Sequence, residues 1–287
     1  GVMLIAEDSS DFSGVTKSPD VGGLGFDYKW DLGWMNDTLK YFQEDPVYRQ
    51  YDSRFITFSM AYFYSERFLL EFSHDEVVHG KATIINKMWG LHGDKLAQVK
   101  ALYVYMMLHP GKKLNFMGNE WDESKSLGWD ILKYPDHDAF HHFAQKLNEI
   151  YLKYPALYEM DYDLKGFEWL VVDDHDQCVF AIERKDKAGN AIIAVMNFVG
   201  NTHEKYKVPV NIEGSYKEIL NTDQAVYSGK NIINPRAIRS KKTKPNKKTK
   251  LLNKDHYIEV KLAPFSACIF EVKPKKETTV EIKSKFD

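Results

Sequence analysis

Three short apolar stretches of this sequence each run straight into a carboxylate. Leu4-Ile5-Ala6 leads into Glu7-Asp8, Phe68-Leu69-Leu70 leads through Phe72 into Ser73-His74-Asp75-Glu76, and Lys113–Gly118 leads into Asn119-Glu120. Ionisable groups crowded where a buried strand would end mark the catalytic rim of an α/β barrel. Two carboxyl groups facing one bond are the minimum set for cleaving a glycosidic linkage: one donates a proton to the leaving oxygen, the other attacks or activates water. Tyr28, Trp30 and Trp34 offer flat apolar faces of the kind on which sugar rings stack, and Trp30 and Trp34 can equally pack a core. His74, Asp75, Glu76 and His79 are clustered, yet no Cys pair or His-Glu-x-x-His spacing supports zinc. Neither a serine nucleophile elbow nor a phosphate-cradling glycine loop is present. An acidic polysaccharide site, with no metal and no cofactor, is what this elimination leaves.

The elements that must position these groups alternate strand and helix. A polar, Gly-rich loop from Ser9 to Gly25 precedes the aromatic stretch Phe26–Trp34. Asn36-Asp37 offer helix-starting side chains, Met35, Leu39 and Phe42 recur at helical spacing, and Pro46 marks the stop. A second helix pattern runs through Ile56, Met60, Phe63 and Tyr64, a third from about Lys95 to Leu108 before His109-Pro110-Gly111, and a fourth from Ala139 to Tyr151. Strands alternating with helices imply a parallel sheet with right-handed crossovers. Past Pro155 the pattern changes to short segments rich in β-branched residues. These are Phe167–Val172, Val179–Arg184, Ala191–Phe198, Lys205–Val210, Tyr216–Leu220, Ile258–Leu262 and Ala267–Val272, separated by turn signals. They predict an antiparallel β-sandwich as a separate domain.

The bulk properties agree with such a protein. A chain of 287 residues, 28% charged, with formal net charge −2, fits one or two soluble domains. No basic leader or long apolar run marks a signal or a membrane segment. The two cysteines, Cys178 and Cys268, are far apart, which suits a reducing, cytoplasmic compartment better than a disulfide framework. The lysine-rich stretch from Arg239 to Lys250 has no interleaved aromatic residues, so it reads as a solvated loop and not a nucleic-acid site. The charged tail from Lys273 onward is expected to be poorly ordered. Gly1 already stands inside a strand-like run, as expected of a segment of a longer polypeptide.

Several of these stretches together resemble the C-terminal half of glycogen (1,4-α-glucan) branching enzymes of the α-amylase superfamily. They are Leu4–Ser10, Gly22–Trp30 with Gly33–Leu39, Phe72–Lys81 and Phe116–Glu120. Further on, Pro155-Ala156-Leu157, Gly166–Trp169 and Glu218–Asp223 fit the same family. Ser73–Gly80 together with Lys29–Leu39 carries the distinction from general amylases. The resemblance implies the C-terminal half of a (β/α)8 TIM barrel, strands five to eight, over residues 1–157. A β-sandwich domain would follow over 158–273, containing the loop 239–250, and a charged tail over 274–287. It further implies Glu7 as general acid/base, Asp75 as transition-state stabiliser and His74 as a substrate contact. An acid working near neutral pH needs a raised pKa at Glu7, and Trp30 and Trp34 are substrate contacts by their residue type, not by the resemblance. The partner would be α-glucan, with neither nucleic acid nor membrane, and the full-length enzyme a monomer. The family's nucleophile lies on the fourth barrel strand, so no residue here takes that role and the isolated chain is expected to be inactive. Trp121–Lys125 and Ser126-Leu127-Gly128-Trp129 depart from the family's longer loop and Ser-Leu-Asp-Trp motif. Another glucan hydrolase or debranching enzyme, or a non-catalytic glucan-binding remnant, are the alternatives.

Overall fold

The computed structural model describes residues 1–77, 81–120, 129–243 and 254–275. Four strands, β1 (Ile5–Ala6), β2 (Tyr28–Trp30), β3 (Phe68–Phe72) and β4 (Lys112–Asn115), form one sheet in sequence order, and every neighbouring pair is parallel. The β2–β3 crossover carries α1 (Leu32–Gln43), α2 (Arg54–Thr57) and α3 (Ser59–Tyr62); the β3–β4 crossover carries α4 (Ile84–Lys87) and α5 (His92–Leu108). After β4 comes α6 (Pro135–Lys153), with proline at its first position, where a missing N–H costs nothing.

Two helix boundaries differ from the sequence reading. α1 begins four residues before Asn36, because Asp31 caps it by accepting from the Trp34 N–H at 2.9 Å. The Asn36 side chain instead donates back to Leu32 O. The pattern through Ile56 and Tyr64 is broken into α2, α3 and a 3-10 turn over Phe63–Ser65.

The remaining strands are β5 (Phe167–Asp174), β6 (Val179–Lys185), β7 (Ala191–Asn197), β8 (His203–Val210), β9 (Gly214–Asn221), β10 (Ile238–Arg239), β11 (Lys241–Lys242), β12 (His256–Leu262) and β13 (Ser266–Pro274). They build an antiparallel six-stranded sheet, β10-β9-β13-β7-β6-β5, and a three-stranded sheet, β11-β12-β8. Period-two alternation explains the near-continuous apolar runs of β6, β7 and β13. Phe180, Ile182, Ile192, Ala194, Met196, Ala267 and Ile269 face a core shared with α1, α5 and α6, while Val179, Ala181, Ile193, Val195, Cys268 and Phe270 face the three-stranded sheet. α5, pressed between the α/β layer and this sheet, is apolar all round from Ala101 to Leu108.

The lysine-rich stretch is not wholly a loop: Arg239 pairs with Ser215, and Lys241 and Lys242 pair with β12. Its residues 244–250, and the tail from 276, lie outside the described residues. Cys178 and Cys268 are both buried free thiols. Among the described residues no helix is long and apolar enough to cross a membrane.

Candidate active site

Because β1 to β4 are parallel, Glu7, Asp31, Asp75 and Glu120, which follow them in turn, all lie at the carboxyl edge of one sheet. β3 stops at Phe72, and His74–Glu76 form a 3-10 turn closed by a capping box. Ser73 Oγ accepts from Asp75 N at 3.1 Å, and Glu76 reaches back to accept from Ser73 N. With Glu76 buried beneath it, this turn lifts His74 and Asp75 into solvent. Their side chains are 52% and 48% exposed, with His74 Nε2 3.3 Å from Asp75 Oδ1. His74 also lies against the Phe116 ring. The resemblance motif continues into Val78, His79 and Gly80, which lie outside the described residues.

Glu7 is exposed one residue beyond β1, and among the described residues its carboxylate meets no hydrogen-bond partner. Burial by this chain is therefore absent at Glu7. β1 and β3 flank β2, and the register sets Ala6 level with Lys29 and Lys29 level with Phe68, so Glu7 leaves the sheet lower along the strand direction than Asp75 does. Asp8 is pinned instead. Its carboxylate accepts from the Ser10 N–H and hydroxyl and pairs with Lys29 Nζ at 3.0 Å, which holds it down to about 2. Glu120, the acid expected at the end of β4, accepts from Gly118 N at 2.8 Å within its own turn, five residues past the strand.

The two tryptophans part company. Trp30 is half-buried and lines an open cleft. Trp34 is 1% exposed, with its ring against Phe72, Tyr105 and His109. Its assignment as a substrate contact is corrected: on the inward stripe of α1 it offers no face to a sugar and belongs to the core.

Between β2 and β3 the structure brings together acids that the sequence reading did not single out. Asp31 is buried at 1% exposure; Oδ1 accepts from Trp34 N and from the Tyr62 hydroxyl at 2.7 Å, while Oδ2 is buried without a partner. Burial pushes this carboxyl up to about 6 against those two donors. Glu71, fully buried inside β3, accepts from the Asp31 backbone N–H at 3.0 Å. Burial, then the charges of Asp31 and Glu76, push it up to about 9, so it is neutral at pH 7. A signal was available: Glu71 is the one charged residue inside the apolar strand Phe68–Phe72.

Glu66, at the other end of this region, shows the opposite balance. Burial would raise it, but the Thr16 hydroxyl and the N–H groups of Thr16, Gly14 and Val15 outweigh that and hold it below its ordinary value. It thereby fastens the β1–β2 loop to the start of β3. Among the described residues no group of three or more His, Cys, Asp or Glu could hold a metal ion.

Comparison with known proteins agrees with this architecture. Residues 169–273 match the family model of the alpha amylase C-terminal all-beta domain. Among solved structures, an Anoxybacillus α-amylase is similar over 96% of this chain and 53% of its own, with TM-score 0.59 and 16% identity. The α-amylase of Geobacillus thermoleovorans, solved with acarbose, is similar over 96% and 54%, with TM-score 0.60 and 14% identity. A variant of AmyP in complex with maltotriose is similar over 88% and 51%, with TM-score 0.58 and 11% identity. The chain thus spans about half the length of the solved structures it matches. Over nearly its whole length it has the fold of α-amylases, with its C-terminal sheets matching their all-beta domain.

Proposed function

We propose that this chain carries the acid/base side of the active site of a retaining α-glucan-active enzyme, and that the whole enzyme is a 1,4-α-glucan branching enzyme. The observation that carries the reading is the common carboxyl edge of β1 and β3, which holds exposed Glu7 and the capped His74-Asp75 turn in a fold shared with α-amylases. The distinction in favour of branching rests on the sequence Ser73–Gly80 and Lys29–Leu39.

In this reading the Glu7 carboxyl gives its proton to the glycosidic oxygen as the bond to the anomeric carbon breaks. A carboxylate nucleophile takes that carbon in a covalent glycosyl intermediate. It belongs to polypeptide outside this chain, on the strands that would extend β1–β4 into a closed barrel. Asp75 and His74 hold hydroxyls of the distorted sugar and favour its oxocarbenium-like transition state, and Trp30 offers a ring face. Glu7, now ionised, then takes the proton of an incoming glucan 6-hydroxyl, whose oxygen displaces the nucleophile and forms the α-1,6 branch.

A second reading, hydrolysis, is favoured by the α-amylase names of the structural neighbours. Amylose incubated with the polypeptide encoded by the whole open reading frame separates the two. New α-1,6 anomeric signals without a matching rise in reducing ends mean transfer; reducing ends alone mean hydrolysis.

A further inference from the structure

The register of the six-stranded sheet sets Arg239, Ser215 and Lys273 level with one another on β10, β9 and β13. Residues directly opposite in an antiparallel ladder point to the same face, so the two cations stand on either side of the serine, with backbones about 10 Å apart at the usual strand spacing. One level along, Ile238, Tyr216 and Val272 point the other way, into the core between the two sheets. The row therefore faces away from that core. It lines a cleft of about 500 Å³ that Ser240, Lys275 and Glu213 help to enclose.

We propose that this cleft binds a small phosphate-bearing anion, seated over Ser215 between Arg239 and Lys273. Other cations of these sheets are matched: Lys185 pairs with Glu183, Lys241 with Glu259, Lys254 with Glu168 and Lys261 with Glu204. Arg239 is exposed and meets no carboxylate among the described residues, and Lys273 reaches Glu271 only at 3.7 Å. Glu213 is the one acid in the lining, and Lys275 holds it at 2.7 Å. Three cations against one carboxylate leave the cleft positive, in a chain of formal net charge −2.

The donors fit a phosphate. The guanidinium offers a planar fork that matches two phosphate oxygens, and the ammonium adds a point charge from the opposite side. Ser240 Oγ accepts from Gly214 N at 2.9 Å while Ser240 N donates to Gly214 O, which fixes this wall and leaves the hydroxyl proton to be donated. Ser215 brings a second hydroxyl. No aromatic residue lines the cleft, so neither a sugar ring nor a base would be held by stacking, and the phosphate itself is what is recognised. The site shares no residue with the strand-end rim and does not depend on the reaction proposed above.

The test is a titration of the 287-residue chain with sodium pyrophosphate at constant ionic strength, read by amide chemical shifts. It is repeated with Arg239→Gln, with Lys273→Gln and, as an equal change of charge on the other sheet, with Lys205→Gln. All three side chains are exposed, so the variants should keep the fold. The expected result is saturable shifts centred on Ser215, Arg239, Ser240 and Lys273, with affinity lowered about tenfold by Arg239→Gln or Lys273→Gln and unchanged by Lys205→Gln. Phenyl phosphate is the second probe: saturation by both marks phosphate esters as ligands, and saturation by pyrophosphate alone marks the free anion. Shifts that fail to saturate, or an affinity lowered as much by Lys205→Gln as by Arg239→Gln, would overturn the site and leave only general attraction between charges.

Discussion

The backbone N–H of Asp31 donates to the side chain of Glu71 at 3.0 Å, joining the carboxyl ends of two parallel strands through a buried acid. Glu71 Oε1 and Asp31 Oδ2 are both buried without partners, so neither carboxyl is fully satisfied and neither ionises at its ordinary pH.

For Glu71 the consequence is a pH-dependent stability. Its pKa is raised from 4.5 to about 9, so the folded chain keeps a proton that the unfolded chain releases. That contribution is fully present below pH 4.5 and is lost as pH rises through about 9, with a limiting slope of about 1.4 kcal/mol per pH unit for one proton. Glu71→Gln cannot ionise and keeps an acceptor for Asp31 N–H. Its melting temperature should gain on the parent progressively from pH 5 to pH 9; parallel curves would exclude a neutral Glu71.

Gly33 makes room for Tyr62. A Cβ at Gly33 would meet the Tyr62 hydroxyl at 2.6 Å, the same hydroxyl that donates to Asp31. Gly33→Ala should push Tyr62 away and leave Asp31 with one donor fewer, at a cost of about 1–3 kcal/mol. Tyr62→Phe should reproduce most of that loss in denaturant titrations, and adding Gly33→Ala to it should cost little more. Full additivity of the two would mean that they act separately.

The His74-Asp75 turn depends on its capping box. Ser73→Ala removes the acceptor for Asp75 N and should cost about 1 kcal/mol. Glu76→Ala should additionally speed amide exchange at Ser73, whose N–H it now occupies. Unchanged exchange at Ser73 in Glu76→Ala would count against the capping box.

The sandwich and the α/β layer should unfold together. Arg184, wholly buried on β6, donates to Asp161 Oδ1 at 2.8 Å, to Leu108 O at the end of α5 and to Gly166 O. Arg49 likewise donates to Phe198 O beyond β7 while holding Phe42 O and Gln98. Asp161→Ala strands a buried guanidinium and should cost about 3–5 kcal/mol. Calorimetry should still show one transition, moved down; two transitions would mean that the shared core does not couple the layers.

Much of this was readable in the residues. The apolar runs ending in Glu7 and Asp75 are strands in one parallel sheet, and the β-branched segments after Pro155 are the strands of the sandwich. Trp34 was legible only as an aromatic residue. Whether α1 turns it toward solvent or core depends on a cap set by Asp31, and on Phe72 and Tyr105 arriving from distant parts of the chain. The Asp31–Glu71 contact spans 40 residues and depends on strand register, which local periodicity does not encode. The break between α2 and α3 falls where no proline or glycine announces it.

In the function proposed here Glu7 is the proton donor to an α-glucan. The most direct measurement is turnover of amylose by the polypeptide of the whole open reading frame against its Glu7→Gln variant, with the fold of both checked by circular dichroism. Glu7 is exposed and unpaired among the described residues, so the substitution should leave stability unchanged. The expected result is a loss of about 10²–10⁴ in kcat, the usual worth of a general acid. Turnover equal to the parent enzyme would contradict it.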